Sequence, residues 1–223
     1  MEDVRAYEEL RVGFTAAVSH ELRTPLARLL ALLDSALLPG PDRDALLAQA
    51  REQVEEMSEL VDDVLFLSEL ESGREVVALG STAALPVLQE VRDRLADSAE
   101  RADVGIVVDV SPDVALPLRR RMLYVVAENL AENAIRYAGP GSTLTLSARP
   151  GLLQVSDDGR GVEEDELPRL FERFYRSDRA RASRGTGLGL AIVKHVVVSA
   201  GGEVHAIGGP GRGLQIRCTF PAP

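Results

Sequence analysis

Cysteine, lysine and tryptophan are almost missing from this 223-residue chain. Cys218 is the only cysteine, Lys194 the only lysine, and tryptophan does not occur. A single cysteine excludes an intrachain disulfide and a cysteine metal cluster, which suits a reducing compartment. The Gly-Lys-Ser/Thr end of a P-loop is excluded as well, because Lys194 stands inside a predicted helix.

Positive charge and long hydrophobic runs are also scarce. The net charge is −10, and such a surface repels a phosphate backbone, so we predict no nucleic-acid partner. No apolar run approaches the ~20 residues of a membrane helix, so we predict no membrane span in this chain. The N-terminus is acidic, unlike a secretory leader, and we expect a cytoplasmic location.

The first third of the chain has the pattern of two long helices, over residues 4–38 and 42–72. The second carries apolar residues alternately three and four apart, at Leu47, Ala50, Val54, Met57, Val61 and Val64. Pro39-Gly40-Pro41 separates the helices, and Asp42 is a candidate N-cap. Pairing two such hairpins into a four-helix bundle covers the apolar stripe, so we predict a homodimer. The alternative is a monomeric hairpin packed on the other domain.

Ser72-Gly73-Arg74 interrupts the helical pattern, which predicts one domain over residues 1–72 and another over 73–223. In the second domain we predict helices over 85–101, 119–138 and 188–199. Strands are predicted over 105–110, 144–148, 152–156, 203–207 and 214–220. This order indicates an α/β sandwich with helices against a mostly antiparallel sheet.

His20 stands on the first helix, five residues before Pro25. Pro25 offers no N–H to the carbonyl of Glu21, which predicts a bend just after His20. A neutral imidazole nitrogen can attack a phosphoryl group, and Glu21 is a candidate base or orienting group for the other ring nitrogen. The alternatives are a surface histidine near a structural kink and a solvated carboxylate.

Four segments of the second domain suit one ATP site. The first is Asn129–Tyr137, where Asn129, Asn133 and Arg136 share a helix face. An asparagine carbonyl is an oxygen ligand suited to Mg²⁺, and Arg136 adds positive charge against phosphate. Taken alone, the segment is better interpreted as two asparagines on a solvent-exposed helix face.

The second segment is Asp157–Gly161, which follows a predicted strand. A carboxylate at Asp157 accepts a hydrogen bond from the amino group of adenine, whereas guanine presents an oxygen there. Gly159 and Gly161 allow close approach of the backbone. By itself this motif is weak, because Asp-Gly pairs are common in turns.

The third segment is a glycine-rich loop that leads into a helix, and its amides can hold phosphates. Its members are Gly185, Thr186, Gly187, Leu188 and Gly189. A dinucleotide fingerprint is disfavoured, because no βαβ unit precedes the loop. The fourth segment, Leu170–Arg176, concentrates three aromatic residues and is followed by arginines 179, 181 and 184. It is typical of a lid over the triphosphate, with Arg176 as a phosphate contact; the alternative is an amphipathic helix.

In order and spacing these pieces resemble the sensor histidine kinases of bacterial two-component systems. Ser19–Leu26 resembles the phosphoacceptor box of that family, and Asn129–Tyr137 its asparagine box. Asp157–Gly161 and Gly185–Leu190 resemble its glycine boxes, and Leu170–Arg176 its phenylalanine box. Gly211-Arg212-Gly213 resembles its last glycine box. The resemblance covers nearly the whole chain.

The resemblance implies a dimeric four-helix bundle joined to an ATPase domain of the gyrase, chaperone and histidine-kinase type. It implies that ATP and Mg²⁺ phosphorylate His20, which then passes the phosphoryl group to an aspartate of a response regulator. By the same resemblance Asn133 is the magnesium ligand, Asp157 the adenine reader, Tyr137 a nucleotide contact, and Thr24 a group for dephosphorylating the regulator.

The chain departs from the family pattern in lacking sensory and membrane-spanning segments. We therefore expect a soluble member or the cytoplasmic portion of an inner-membrane sensor. Two other functions compete with the kinase: a nucleotide-binding scaffold with an inert His20, and an ATP-hydrolysing machine of the gyrase type. Asn129 disfavours the second, because such relatives have a glutamate base at that position.

Overall fold

The first unit of the fold is a helical hairpin. The computed structural model describes residues 2–38, 42–72, 80–177 and 185–221, with side chains from residue 17 onward. Helix α1 runs over Glu2–Ala36 and α2 over Arg43–Glu71, so both predicted helices are confirmed within two residues. The Asp42 carboxylate accepts a hydrogen bond from the backbone N–H of Ala45 at 3.2 Å, which is the predicted N-cap contact.

The apolar seam of α2 divides into an inner and an outer row. Ala50 is buried, and Met57 and Val64 are half-buried. These three residues are seven positions apart, so they lie on the same side of the helix. The other three members are exposed although apolar, and they stand seven residues apart: Leu47, Val54 and Val61. On α1 the exposed apolar residues include Leu26, Leu30 and Leu33. The hairpin thus buries one apolar row and leaves another in contact with water.

The chain divides into two compact units, and the division passes through α2. One unit comprises Met1–Phe66 with Arg184–Thr186, and the other Leu67–Ser183 with Gly187–Pro223. The last residues of α2 therefore pack with the second unit, where Leu67 and Leu70 are buried. Glu71 at the helix end forms an ion pair with Arg173.

The second unit contains a five-stranded sheet and three longer helices. In chain order its elements are β1 (Thr82–Ala83), α3 (Ala84–Ala102), β2 (Val104–Val110), β3 (Ala115–Leu116), α4 (Arg120–Tyr137), β4 (Ser142–Arg149), β5 (Leu152–Asp157), a 3₁₀ turn (Leu167–Arg169), α5 (Gly189–Ser199), β6 (Glu203–Gly208) and β7 (Leu214–Thr219). The strand order of the large sheet is β2-β4-β5-β7-β6. Among the strands of the described residues only β2 and β4 pair in parallel, so the prediction of a mostly antiparallel sheet is confirmed.

The core of this unit lies between one face of the sheet and the three helices. Alternate residues of the central strands are buried, among them Leu144, Leu146 and Leu153, as the period of two in a strand requires. Each fully buried leucine contributes about 1.5–3 kcal/mol to stability. The same alternation places serine, threonine and glutamine on the opposite face of β4 and β5, which is only half-covered. The fold class predicted from the sequence is confirmed.

Candidate functional site

His20 lies exposed on α1. Three-quarters of its side chain, 76%, is open to solvent, so it is not part of the hairpin core. Its Nδ1 atom lies 3.5 Å from Oε1 of Glu21, at the outer limit of a hydrogen bond. Adjacent residues of a helix do not ordinarily face each other, yet here the Glu21 carboxylate curls back toward the ring. A proton on Nδ1 leaves the lone pair of Nε2 free to act as a nucleophile.

Pro25 stands inside α1 without ending it, since the helix continues to Ala36. The bend expected at Pro25 stays a prediction. Thr24 is exposed one turn after His20, and residues four apart lie on the same face of a helix. His20 and Thr24 are therefore neighbours on one accessible surface of the hairpin.

Asn129 lies where α4 meets the beginning of α5. Its amide nitrogen donates to the carbonyl of Val125 at 2.9 Å, which orients the side chain along the helix. Its amide oxygen approaches Gly189, the first residue of α5, so closely that a Cβ at Gly189 would overlap it. Asn133 is half-buried one turn further along the same face. Asn129 thus lies at the N-terminus of α5, where backbone amides lack helical partners, and Asn133 shares its face of α4.

Asp157 is the last residue of β5, and two backbone amides face its carboxylate. The N–H of Gly159 donates to Oδ1 at 2.9 Å, and the N–H of Leu214 lies on the side of β7. Burial raises the pKa of Asp157, the two amides oppose that rise, and the nearby charge of Asp158 adds to it. A half-buried carboxylate with one oriented face suits the recognition of a hydrogen-bond donor such as an amino group.

The loop after Asp157 is packed against the C-terminal end of α4. The N–H of Arg160 donates to the carbonyl of Ala138 at 3.0 Å. A Cβ at Gly159 would stand within 2.6 Å of three backbone atoms of Ala138, so only a bare Cα fits there. Tyr137, half-buried, and Arg136, exposed, are in the last turn of the same helix. Residues 129 and 138 are about 13 Å apart along α4, at 1.5 Å per residue.

Leu170–Arg176, the segment resembling a phenylalanine box, is built from turns, so the alternative of an amphipathic helix is wrong. Phe174 adopts a left-handed backbone with φ 61°, unusual for a bulky residue, and its N–H donates to the carbonyl of Gly187 at 2.9 Å. This bond ties the segment to the glycine-rich loop. Arg176 is half-buried at its end, and arginines 179, 181 and 184 lie outside the described residues.

The glycine-rich loop is divided between the two compact units. Gly185 and Thr186 group with the hairpin, where the Thr186 hydroxyl donates to Oδ2 of Asp63 at 2.7 Å. Gly187, Leu188 and Gly189 group with the second unit, and Leu188, the residue immediately before α5, is fully buried. Within the second unit, therefore, the loop from residue 187 onward contacts α4 at Asn129, and the Asp157 loop contacts the C-terminal end of the same helix at Ala138.

Two contacts of this site were not predicted from the sequence. The turn at Gly209–Gly213, whose Gly211-Arg212-Gly213 resembles the last glycine box, contacts the Asp157 loop: the N–H groups of Gly211 and Gly213 donate to the carbonyls of Arg160 and Gly159 at 2.7 and 3.1 Å. Glu166 accepts a hydrogen bond from the Tyr175 hydroxyl at 3.0 Å. The Gly-Arg-Gly sequence of the turn could have indicated its contact with the Asp157 loop. Nothing in the sequence indicated the hydrogen bond between Tyr175 and Glu166.

The donor set of the site suits magnesium only together with phosphate. Among the described residues, no three side chains of histidine, cysteine, aspartate and glutamate come together as a metal site. Asn133 offers a single amide oxygen, and Mg²⁺ in proteins commonly takes one or two protein oxygens and completes its shell with phosphate and water. The residues therefore fit a nucleotide-bound magnesium ion.

Comparison with protein families assigns both parts of the chain. Residues 10–73 match the model of the His Kinase A (phospho-acceptor) domain. Residues 119–223 match that of the histidine kinase-, DNA gyrase B-, and HSP90-like ATPase. The chain belongs to the sensor histidine kinases. Both matched regions contain the boxes recognised in the sequence.

Individual relatives agree with this assignment. The sensor-like histidine kinase SenX3 of Mycolicibacterium smegmatis is 31% identical over 223 residues, or 96% of this chain and 58% of SenX3. The chain thus spans little more than half the length of that relative. The structure of the histidine kinase AdeS of Acinetobacter baumannii superposes with a TM-score of 0.72 at 26% identity, covering 90% of this chain and 97% of AdeS.

A further solved structure shares the fold at lower sequence identity. The histidine kinase ThkA, solved in complex with the response regulator protein TrrA, gives a TM-score of 0.76 at 19% identity. The match covers all of this chain and 65% of ThkA. Within the part of the chain that the structure describes, none of the helices could span a lipid bilayer.

Proposed function

We propose that this histidine kinase chain binds ATP with Mg²⁺, phosphorylates its own His20 and passes the phosphoryl group to an aspartate of a response regulator. The observation that carries the proposal is an exposed imidazole whose Nδ1 faces a carboxylate, on a chain whose second unit holds Asp157 and the asparagine face along α4. Because the reaction consumes ATP, we place it in the cytoplasm, in a soluble protein or in the cytoplasmic portion of an inner-membrane sensor.

The phosphorylation step transfers the terminal phosphoryl group of ATP to Nε2 of His20. The Nε2 lone pair of His20 attacks the terminal phosphorus of ATP, a nitrogen–phosphorus bond forms, and the bond to the bridging oxygen breaks to release ADP. The Nδ1 proton faces Glu21, which stabilises the positive charge that develops on the ring. Transfer to the regulator reverses the roles: an aspartate oxygen attacks the phosphorus and neutral imidazole leaves.

The residues of the nucleotide site divide between the base and the phosphates. Asp157 accepts a hydrogen bond from the adenine amino group, and Tyr137 contacts the nucleotide near it. Asn133 holds Mg²⁺, while Arg136, Arg176 and the amides between Gly185 and Gly189 meet the phosphates. Gly159 and Gly161 allow the Asp157 loop to lie close to its neighbours. Support comes from Gly189, whose bare Cα lets the beginning of α5 lie against Asn129.

We propose a response regulator as a partner because the phosphoacceptor His20 is accessible from solvent. His20 and Thr24 lie exposed on one helix face, which leaves room for a receiver domain to approach both. ThkA, which shares this fold, was solved in complex with a response regulator. We propose that Thr24 positions water for dephosphorylating the regulator.

We also propose that the hairpin pairs with a second copy of itself. Leu47, Val54 and Val61 form an exposed row with a spacing of seven, the repeat that packs helices along their length. Replacing all three with serine is expected to convert a dimer into a monomer in light scattering on the purified chain. A wild-type chain that is monomeric at micromolar concentration would contradict this part of the proposal.

Autophosphorylation is tested with ATP labelled at the terminal phosphate. The intact chain should acquire acid-labile label, and a His20→Ala variant should not. His205→Ala is the matched control, because His205 is also exposed (61%) and also lies beside a carboxylate, 3.2 Å from Glu203, but on the sheet. Label that survives in His20→Ala, or that disappears equally in His205→Ala, would refute the assignment of His20.

A further inference from the structure

The turn between β6 and β7 makes an unusual contact with the Asp157 loop. Gly211 and Gly213 both have φ of +69°, in the left-handed region, and each donates its N–H to a carbonyl of the loop. Their surroundings differ. A Cβ at Gly211 would meet nothing within 4 Å, whereas one at Gly213 would overlap the carbonyl group of Asp157, whose carbon lies 2.8 Å from the Cβ position. Gly213 is therefore the point of close approach between the two segments.

The residue after Gly213 places its backbone amide beside the Asp157 carboxylate. Leu214 begins β7 and its N–H faces that carboxylate, while Gly159 donates to Oδ1 from the opposite segment, at 2.9 Å. Two donors on separate segments define the plane of a carboxylate, since each oxygen prefers hydrogens near the carboxyl plane. One donor alone leaves the group free to rotate about χ2, a broad torsion for aspartate.

We propose that Gly213 and the Leu214 amide are positioning groups for purine selectivity: they hold the Asp157 carboxylate so that an acceptor oxygen faces the exocyclic amine of adenine. This rests on the proposed function, in which Asp157 reads the base. Gly213 acts by being small, because its bare Cα lets β7 begin close enough for Leu214 to reach the carboxylate. An added methyl group must push the turn away from Asp157 and lengthen that hydrogen bond.

Gly213→Ala and Gly211→Ala form a matched pair in the full chain. Both substitutions place a side chain in the same left-handed conformation, at the same φ and in the same turn, but only the first meets Asp157. We expect Gly213→Ala to weaken Mg–ADP binding about tenfold more than Gly211→Ala, which corresponds to about 1.4 kcal/mol. Binding of Mg–GDP should change equally in the two variants, so the ADP-to-GDP preference should fall only in Gly213→Ala.

Isothermal titration with ADP and GDP measures both constants, and thermal unfolding of each variant shows that it is folded. An unchanged ADP-to-GDP preference in Gly213→Ala would overturn the positioning role. An Asp157→Asn variant separates this result from a failure of the proposed function. If Asp157→Asn binds ADP as well as the original chain, Asp157 does not read the base, whatever the turn does.

A measurement on the unsubstituted chain covers the case in which Gly213→Ala does not fold. In a pH titration followed by NMR, the amide proton shifts of Leu214 and Gly159 should move together, because both donate to one titrating carboxyl. The common transition should vanish in Asp157→Asn. A Leu214 amide that does not titrate with Gly159 would overturn the proposal.

Discussion

Replacing Gly159 with alanine tests the packing of the Asp157 loop on α4. The backbone of Gly159 is not in the left-handed region, so alanine adds no conformational strain there. Its Cβ, however, would stand within 2.6 Å of three backbone atoms of Ala138, where ordinary contact begins at 3.4 Å. Because the obstacle is helix backbone and not a flexible side chain, the loop must retreat by about 0.8 Å or more.

The loss in free energy of unfolding of the Gly159→Ala variant follows from three contributions. Overpacking costs about 1–3 kcal/mol. The Arg160–Ala138 hydrogen bond, now 3.0 Å, would stretch beyond its useful range and forfeit about 1 kcal/mol. Alanine in place of glycine stabilises the fold by about 0.4–1 kcal/mol, because it restricts the unfolded chain. The net loss is about 2 kcal/mol, which lowers the unfolding midpoint of a domain of this size by about 4–8 °C.

Differential scanning calorimetry checks this value against Gly105→Ala. Gly105 lies in β2 with ordinary backbone angles, and the nearest atom to its added Cβ is 3.8 Å away, so that variant should unfold at or slightly above the original midpoint. The loss of stability should be accompanied by weaker ADP binding, because the Gly159 amide also holds Asp157. Equal midpoints for the two variants would show that the loop does not press on α4 as described.

Two further predictions concern titrating groups. Cys218 is fully buried in β7, and burial raises the pKa of its thiol to about 12. At pH 8 only about one thiol in ten thousand is ionised, so Ellman's reagent should react with Cys218 only after denaturation. Rapid labelling of the native chain would contradict the burial of Cys218. Burial also raises the pKa of Asp157 above the ordinary 3.8, so the acid loss of ADP affinity should begin at a higher pH than for an exposed carboxyl. Affinity is retained above the raised pKa and falls as the carboxylate takes up a proton. Asp157→Asn should bind ADP more weakly and without that pH dependence, and an identical acid limb in the variant would assign the effect to another group.

Local patterns were enough to predict most of the elements. The three helices and five longer strands of the sheet domain were located within about two residues, because each amphipathic period extends over several turns or pleats. Thr82–Ala83 and Ala115–Leu116 were not anticipated, since a two-residue strand has no period to detect. The backbone of Phe174 was equally unpredictable, because its left-handed angle is held by a bond to Gly187 and not by any local preference.

Residue types and spacings were enough to show which chemical groups the chain carries: an imidazole beside a carboxylate and near a proline, asparagines four apart on a helix, and aspartate and glycine in turns. These features are local, so they can be recognised in the amino-acid sequence. The contacts of Gly159 with the end of α4 and of Gly213 with the carbonyl of Asp157 became visible in the folded chain. These contacts join segments distant in the chain, and they depend on the pairing of β5 with β7 and on the packing of α4 over the sheet, which no single segment encodes.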